Sequence, residues 1–275
     1  MWSRINHKAN MLNFGQQYHP SIRNSMKFWK ILSFSLLSLL FSCTHQDPAQ
    51  FAQTVIDGAI TRHGGKNFEQ FVAEFDFRDK HYLIERNGGK YRYERSFKDS
   101  TGNKTLDVVT NESTVRYLNG QKANVPDSML TKYRNSVNSI AYFALLPQPL
   151  NDASVIKQYL GEVQINQQPY FKLKITFKKE GGGKDFDDEF VYWIHRKDYT
   201  LDYFAYLFHV DGGGMRFRQA INPQEKGGIR FQDYINYEPI LPSAKLEELD
   251  IWFVKGRLKE LSKIENKNLK VSRLQ

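Results

Sequence analysis

From Phe71 to Leu118 the apolar residues recur at every second position: Phe75 and Phe77, then Tyr82 and Ile84, then Tyr91 and Tyr93, with polar or charged neighbours between them. A side-chain period of two belongs to a strand with one buried face, and a helix cannot satisfy it. Asn87-Gly88-Gly89 separates two of these runs and Asn119-Gly120 closes the one at Val115 to Leu118. Both are hairpin signals. Connections this short leave no room for crossover helices, so the strands are expected to pair antiparallel. The period returns after residue 169, where Phe171, Leu173, Ile175 and Phe177 alternate with Tyr170, Lys172, Lys174 and Thr176, predicting a strand with one wet face. Met215, Phe217 and Ile221, then Ile229, Phe231, Ile235 and Tyr237, give two more strands.

Two stretches carry large residues on both faces. In Phe190 to His195, Tyr192 and Ile194 oppose Val191 and Trp193; in Leu201 to His209, Tyr203 and Leu207 oppose Phe204, Tyr206 and Phe208. A sheet apolar on both sides must have both covered, by a helix, by curling on itself or by an apolar ligand. Glycines at 181–183, 212–214 and 227–228 read as turns, since no lysine-serine pair or helix opening follows them as a phosphate loop requires. Helical spacing appears twice. Asp47-Pro48 supplies a cap and a first-turn proline for Phe51, Val55, Ile56, Ala59 and Ile60, and His63-Gly64-Gly65 stops that helix. Pro126-Asp127-Ser128 opens a second one with Leu130, Tyr133, Val137 and Ile140 on one face, and Pro147 and Pro149 halt the apolar run that continues it. Leu246 to Leu261 reads as a helix, while Leu258, Leu261 and Ile264 equally suit a closing strand; both readings stay open.

The segment Met26 to Cys43 has the three-part build of an export signal. Lys27 and Lys30 make a positive start, Ile31 to Phe41 is apolar or small throughout, and Leu40-Phe41-Ser42-Cys43 closes it at the chain's only cysteine. The run is shorter than the roughly 20 residues a spanning helix needs, so removal of residues 26–42 is expected. The match resembles bacterial lipoproteins, which implies that Cys43 is acylated and becomes the membrane anchor. An ordinary secretory signal with an incidental cysteine, or a membrane-buried N-terminal helix, is the competing account. Met26 starts a signal complete in itself, so residues 1–25 are expected to be either a gene-model extension, with translation beginning at Met26, or a long polar lead, and either way they stand outside the fold reading.

Arg4, Lys8, Arg23, Lys27 and Lys30 all precede Cys43 and no acid does; without them 34 basic residues face 30 acids, a balance of +4 rather than +9. That is an ordinary surface charge and excludes the basic footprint of a nucleic-acid binder. The 233 residues from Cys43 on suit a single mature domain over 43–275, held by burial alone because no second cysteine exists.

No nucleophile elbow, Walker loop or zinc helix occurs in the sequence. Asp185, Asp187, Asp188 and Glu189 form one acid cluster, whose spacing fits a solvated strand start better than a calcium loop. His63 falls in a last helical turn, where a charge–dipole contact accounts for it. His81, His195 and His209 fall in separate strands, and only their convergence would make an acid–base or metal site. No cofactor or metal is therefore expected.

An anchored cysteine, a helix ending in His63-Gly64-Gly65, a long antiparallel meander, a mid-chain helix ending at Leu146-Pro147 and a further meander together resemble the LolA/LolB-like superfamily, and within it lipoproteins of the Gram-negative envelope. The resemblance covers most of residues 43–275 and rests on architecture, so it carries over no binding residue. It implies a mainly β (α+β) fold: a strongly curved, half-open antiparallel barrel or sheet covered by a few helices. It also implies an apolar cavity for acyl chains, which would make the two-faced strands, with Tyr192, Trp193, Phe204, Tyr206 and Phe208, the expected ligand wall. The function expected on this basis is noncatalytic binding or carriage of an apolar or lipid-like ligand by a periplasmic lipoprotein, tethered by Cys43, with the outer membrane as its place. An envelope hydrolase using His195 or His209 with nearby acids is the alternative.

Overall fold

The computed structural model describes residues 47–180, 187–209 and 212–274. The export signal, Cys43, Gly181 to Gly183 and Asp185 lie outside the described residues. Residues from Gln46 to Gln275 form one compact unit.

Helix α1 spans Pro48–His63 and starts as expected, with the Ala49 N–H donating to Asp47 Oδ1 at 3.0 Å. It buries Ala52, Val55, Ile56 and Ala59 and stops at Gly64 (φ 156°), where a Cβ would meet the Phe68 ring at 3.1 Å and Ile229 at 3.3 Å. Only glycine tolerates that combination of dihedral and crowding. After a 3-10 turn (Gly65–Phe68) come β1 (Gln70–Phe77), β2 (Lys80–Asn87), β3 (Lys90–Lys98), β4 (Lys104–Thr110), β5 (Thr114–Leu118) and β6 (Gln121–Lys122). Helix α2 (Asp127–Ala144) and a 3-10 turn (Gln148–Asn151) lead into β7 (Val155–Ile165), β8 (Gln168–Phe177), β9 (Glu189–His195), β10 (Leu201–Phe208), β11 (Gly214–Lys226) and β12 (Ile229–Pro239). The tail resolves the open alternative by using both: a 3-10 turn (Leu246–Glu248) and helix α3 (Leu249–Val254) are followed by β13 (Leu258–Ile264) and β14 (Lys267–Ser272).

The strands form two seven-stranded antiparallel sheets, ordered β14-β1-β2-β3-β4-β5-β6 and β13-β12-β11-β10-β9-β8-β7. Apart from β14 on β1, neighbours within each sheet are consecutive strands, as the short turns predict. The seam between the sheets is the β13–β14 connection, since β13 pairs with β12 and β14 with β1. Asn266 N–H donates to Asp233 Oδ1 at 2.9 Å on one side of it, and Asn268 Nδ2 donates to Asp76 Oδ2 at 2.7 Å on the other. Among the described residues nothing pairs β6 with β7, so the strand path is open at that end: a half-open, helix-covered antiparallel fold rather than a closed barrel. Bulges at Glu74/Asp76, Tyr159/Gly161, Leu201/Tyr203 and Ile221/Gln224 supply local bending.

Each sheet has its own inner core. Phe71, Phe75, Tyr82, Ile84 and Val109 of the first sheet pack with Val137 and Ala141 of α2 and with Ile229 and Phe231 of β12. Leu173, Ile175, Tyr192, Ile194 and Phe204 of the second pack with α1 and with Tyr234 of β12, so β12 serves both. A third core lies on the outer face of the second sheet, where Val191, Trp193, Tyr203 and Phe217 are covered by Leu246 and Leu249. That cover corrects the wet face expected for β8. Tyr170 is buried there, and Lys172 is buried with its Nζ on Asp250 Oδ1 at 3.1 Å and on the Glu247 carbonyl. Lys174 remains partly exposed. A buried lysine needs such a partner, and Asp250 stands 78 residues further on, beyond the reach of any periodicity argument. Among the described residues no helix is long and apolar enough to cross a membrane.

Candidate functional site

Cross-strand register decides which aromatic residues share a face. Phe204 pairs with Tyr192 and Tyr203 with Trp193. Tyr192, Phe204, Tyr206 and Phe208 therefore face inward, and Trp193 faces the outer core. With Phe190 the inward four form a ladder: Tyr192 on Phe204 at 5.7 Å and 18°, Phe190 on Tyr206 at 5.5 Å and 24°, and Phe208 beside Tyr206 at 5.9 Å. Tyr192 and Phe204 are fully buried; Tyr206 and Phe208 are half-buried. Trp193 is also fully buried, but it packs on Phe217 at 5.5 Å, with a whole sheet between it and the other four.

The last turns of α2 close over this ladder. Phe143 stacks on Phe204 at 5.8 Å and lies 5.7 Å from Tyr206, and the Tyr142 and Tyr192 hydroxyls share a hydrogen bond of 3.2 Å. Burial pushes Tyr142 and Tyr234 up to about 12 and holds Tyr192 well above the usual phenol value, so these phenols stay protonated and neutral. The wall is filled by the protein's own rings. What stays open beside it is a cleft of about 50 Å³, bounded by Phe77, Ile140, Phe143, Arg218, Tyr234 and Asn266. A wider hollow of about 760 Å³ lies on the surface between β3, β4 and β5, walled by Arg92, Lys98 and Lys104, among others. It is an open surface hollow of mixed lining, with Phe97, Leu106 and Val108 beside its cations, whereas the inner cleft is where the apolar faces converge.

Sequence reasoning missed Arg218. Alternation about Phe217 turns Arg218 to the opposite face of β11, and that face is covered too: Arg218 is 8% exposed and lies inside. Its guanidinium sits 4.3 Å from the Phe143 ring centroid, 5.3 Å from Phe204 and 5.2 Å from Tyr206, and Nη2 donates to the Tyr206 hydroxyl at 3.0 Å. The two-sided character of β9 and β10 is the signal that would have found it, because β11 pairs with β10 and inherits two covered faces.

A second buried cluster was equally hidden by alternation. Asp107, fully buried on β4, accepts from Arg95 Nη2 at 2.6 Å and from Arg116 Nε at 2.6 Å. The same arginines reach α2: Arg95 Nη1 donates to Ser136 Oγ at 2.7 Å, and Arg116 lies 3.4 Å over the Tyr133 ring. Arg134 Nε adds a hydrogen bond to Thr114 Oγ1 at 2.7 Å. The middle of α2 is thus fixed to the first sheet through polar groups, and its end is inserted against the second through aromatic ones.

The histidines do not converge. His81 is exposed on the first sheet beside Asp76 (2.7 Å). His195 lies where β9 meets the start of β10, near Tyr170, and His209 follows the other end of β10, about 25 Å away at the strand rise. Among the described residues no group of three His, Cys, Asp or Glu could hold a metal ion. Asp187 is exposed, and Glu189 pairs with Lys174 at 2.7 Å.

His63 is not the helix-dipole contact expected. It is fully buried and its Nε2 accepts the Leu201 N–H at 3.0 Å, while burial, and then Arg230 and Arg62, push it down to about 3. The native chain keeps it neutral, whereas the unfolded chain protonates it near pH 6.5. Its contribution is whole above about pH 6.5 and drains as the pH falls toward about 3, at up to about 1.4 kcal/mol per pH unit. Urea titrations between pH 7 and 5 should show that slope in the wild type and a flatter one in His63→Gln; equal slopes would place the titration elsewhere.

No curated protein matches the chain. Similar arrangements occur in a DUF1329 family protein from Desulfovibrio piger (11% identity, TM-score 0.44, 82% of this chain and 93% of that one) and a LolA superfamily protein from Nitrosomonas europaea (13%, 0.42, 82% and 94%). An outer membrane lipoprotein-sorting protein domain from Vibrio parahaemolyticus is a third (9%, 0.43, 82% and 93%). The profile of a family of unknown function, DUF6503, matches residues 29–266, and the chain belongs to that family.

Proposed function

We propose that this chain is an envelope lipoprotein, tethered by acylated Cys43, that binds and carries an apolar or lipid-like ligand without transforming it. The observation that carries this reading is the way α2 covers the aromatic ladder. Of its 18 residues only Val137 and Ala141 are fully buried, and Tyr142 and Phe143 do the plugging. Withdrawing that end exposes a continuous apolar wall of Phe190, Tyr192, Phe204 and Tyr206 between two sheets, a surface that water penalises and an alkyl chain fits. The hydrolase alternative finds less support: the acid beside His195 is Asp198 of the same turn, with Oδ2 3.2 Å from Nδ1 and largely exposed rather than across a cleft, and His209 sits at the opposite end of β10.

The plug provides the test. An apolar dye such as N-phenyl-1-naphthylamine must displace Phe143 to reach the ladder, so Tyr142→Ala/Phe143→Ala should bind it about tenfold more tightly than the wild type, with a blue-shifted emission. A wild type and a folded double variant that both leave the dye in water would overturn the reading. The anchor is tested separately. Mass spectrometry of the mature N-terminus should find acylated Cys43, and Cys43→Ser should abolish the modification, since no other thiol exists. An unmodified wild-type chain cleaved elsewhere would remove the tether from the account.

A further inference from the structure

We propose that Arg218 receives the anionic head of a single-chain amphiphile, a carboxylate or a phosphate monoester, while the alkyl chain takes the place of Phe143 along the ladder. The inference rests on the carrier reading and adds to it the chemical class of the ligand. The register of β11 against β12 places Arg218 opposite Asn236. One same-face step along, Arg216 has an acid, with Glu238 Oε2 3.9 Å from its Nη1. Arg218, the more deeply buried of the two, has none within ion-pair distance among the described residues. Its Nε is buried without a hydrogen-bond partner, and so is Asn236 Oδ1 across from it.

The rings around Arg218 do not complete it. Aromatic faces stabilise a guanidinium mainly from above and below its plane, and they leave the in-plane N–H donors unmet. A carboxylate or phosphate satisfies those donors in the plane, by paired hydrogen bonds. The groups packed about this point favour an anion. Tyr234 accepts from Gln232 Nε2 at 2.9 Å and, being held protonated, keeps its own O–H to give. The other side chains bounding the cleft, Phe77, Ile140, Phe143, Ala144, Ile264 and Asn266, include no acid that would repel one. The size agrees as well: about 50 Å³ is space for the oxygens of a head and for no alkyl chain, so the chain must run where Phe143 now stacks.

Calorimetry on residues 46–275, the compact unit that holds all three cores, separates the possibilities with four probes: dodecanoate, dodecyl phosphate, dodecanol and inorganic phosphate. The wild type should bind at least one of the two anionic amphiphiles about tenfold or more tightly than dodecanol, and inorganic phosphate alone should not bind at millimolar concentration. Arg218→Gln should bind the anions and the alcohol alike. Arg218→Lys, which keeps the charge and loses the planar fork, should retain part of the preference; this variant and the wild-type comparison decide the matter if the glutamine variant does not fold. Equal binding of the anions and dodecanol by the wild type overturns the role of Arg218 and leaves carriage standing. Inorganic phosphate binding as tightly as dodecyl phosphate overturns the amphiphile assignment. No binding of any alkyl probe overturns both.

Discussion

Replacing Asp107 with alanine is expected to cost about 3–5 kcal/mol of folding stability, because it leaves the buried Arg95 and the partly buried Arg116 side by side without the counter-charge they share. Asp107 is fully buried and holds Arg95 and Arg116 through four hydrogen bonds of 2.6 to 3.1 Å. A loss of that size is a large part of a typical domain's net stability. The effect should also reach α2, whose contacts at Ser136 and Tyr133 are made by the same two guanidinium groups. Chemical denaturation of Asp107→Ala reads the first effect and limited proteolysis within α2 the second. Replacing all three residues together, with methionine for the arginines and leucine for Asp107, should recover much of the stability, since an apolar trio owes no desolvation penalty. A single variant as stable as the wild type would show that water reaches the cluster and that it does not anchor the helix.

Trp193→Ala should be equally costly for a different reason. Removing a fully buried indole between Phe217 and Lys172 opens a large cavity under α3, with an expected loss of about 3–5 kcal/mol. Although Trp193 belongs to the aromatic set that the two-faced strands suggest as a ligand wall, it faces away from Tyr192 and Phe204. Folded Trp193→Ala protein should therefore hold the same ligand complement as the wild type. Lost stability with unchanged ligand content is the expected pair of results. Selective loss of ligand would place Trp193 in the binding wall after all.

Most strands and their turns were legible, β7 and β14 excepted, because a period of two and Asn-Gly or Gly-Gly turns are local signals; Asn119 at φ 49° followed by Gly120 at φ 84° is what such a pair is for. The division into two sheets was not. It is made at the β13–β14 corner, where Leu258, Leu261 and Ile264 suit helix and strand alike, and where Asp233 and Asp76 do the fixing from far away in the chain. The site was half legible. Large residues on both faces of β9 and β10 correctly announced two covered faces, but alternation cannot say which ring faces which cover. Arg218, Asp107 and Lys172 share one cause of invisibility: a charged residue on a strand reads as solvent-facing, and the groups that make its burial tolerable lie on other elements.

The carrier reading is tested most directly by what the protein holds when recovered from the cell envelope. Organic-solvent extraction of the folded chain, followed by mass spectrometry, should release close to one acyl-bearing molecule per chain that is not covalently attached to it. That molecule should disappear from a folded variant in which a larger side chain at Ala144 fills the cleft beside Phe143 and Arg218. A wild-type chain that yields no extractable lipid, and takes up none when offered dodecanoate or dodecanol, would contradict the account and leave the aromatic ladder as a plain core.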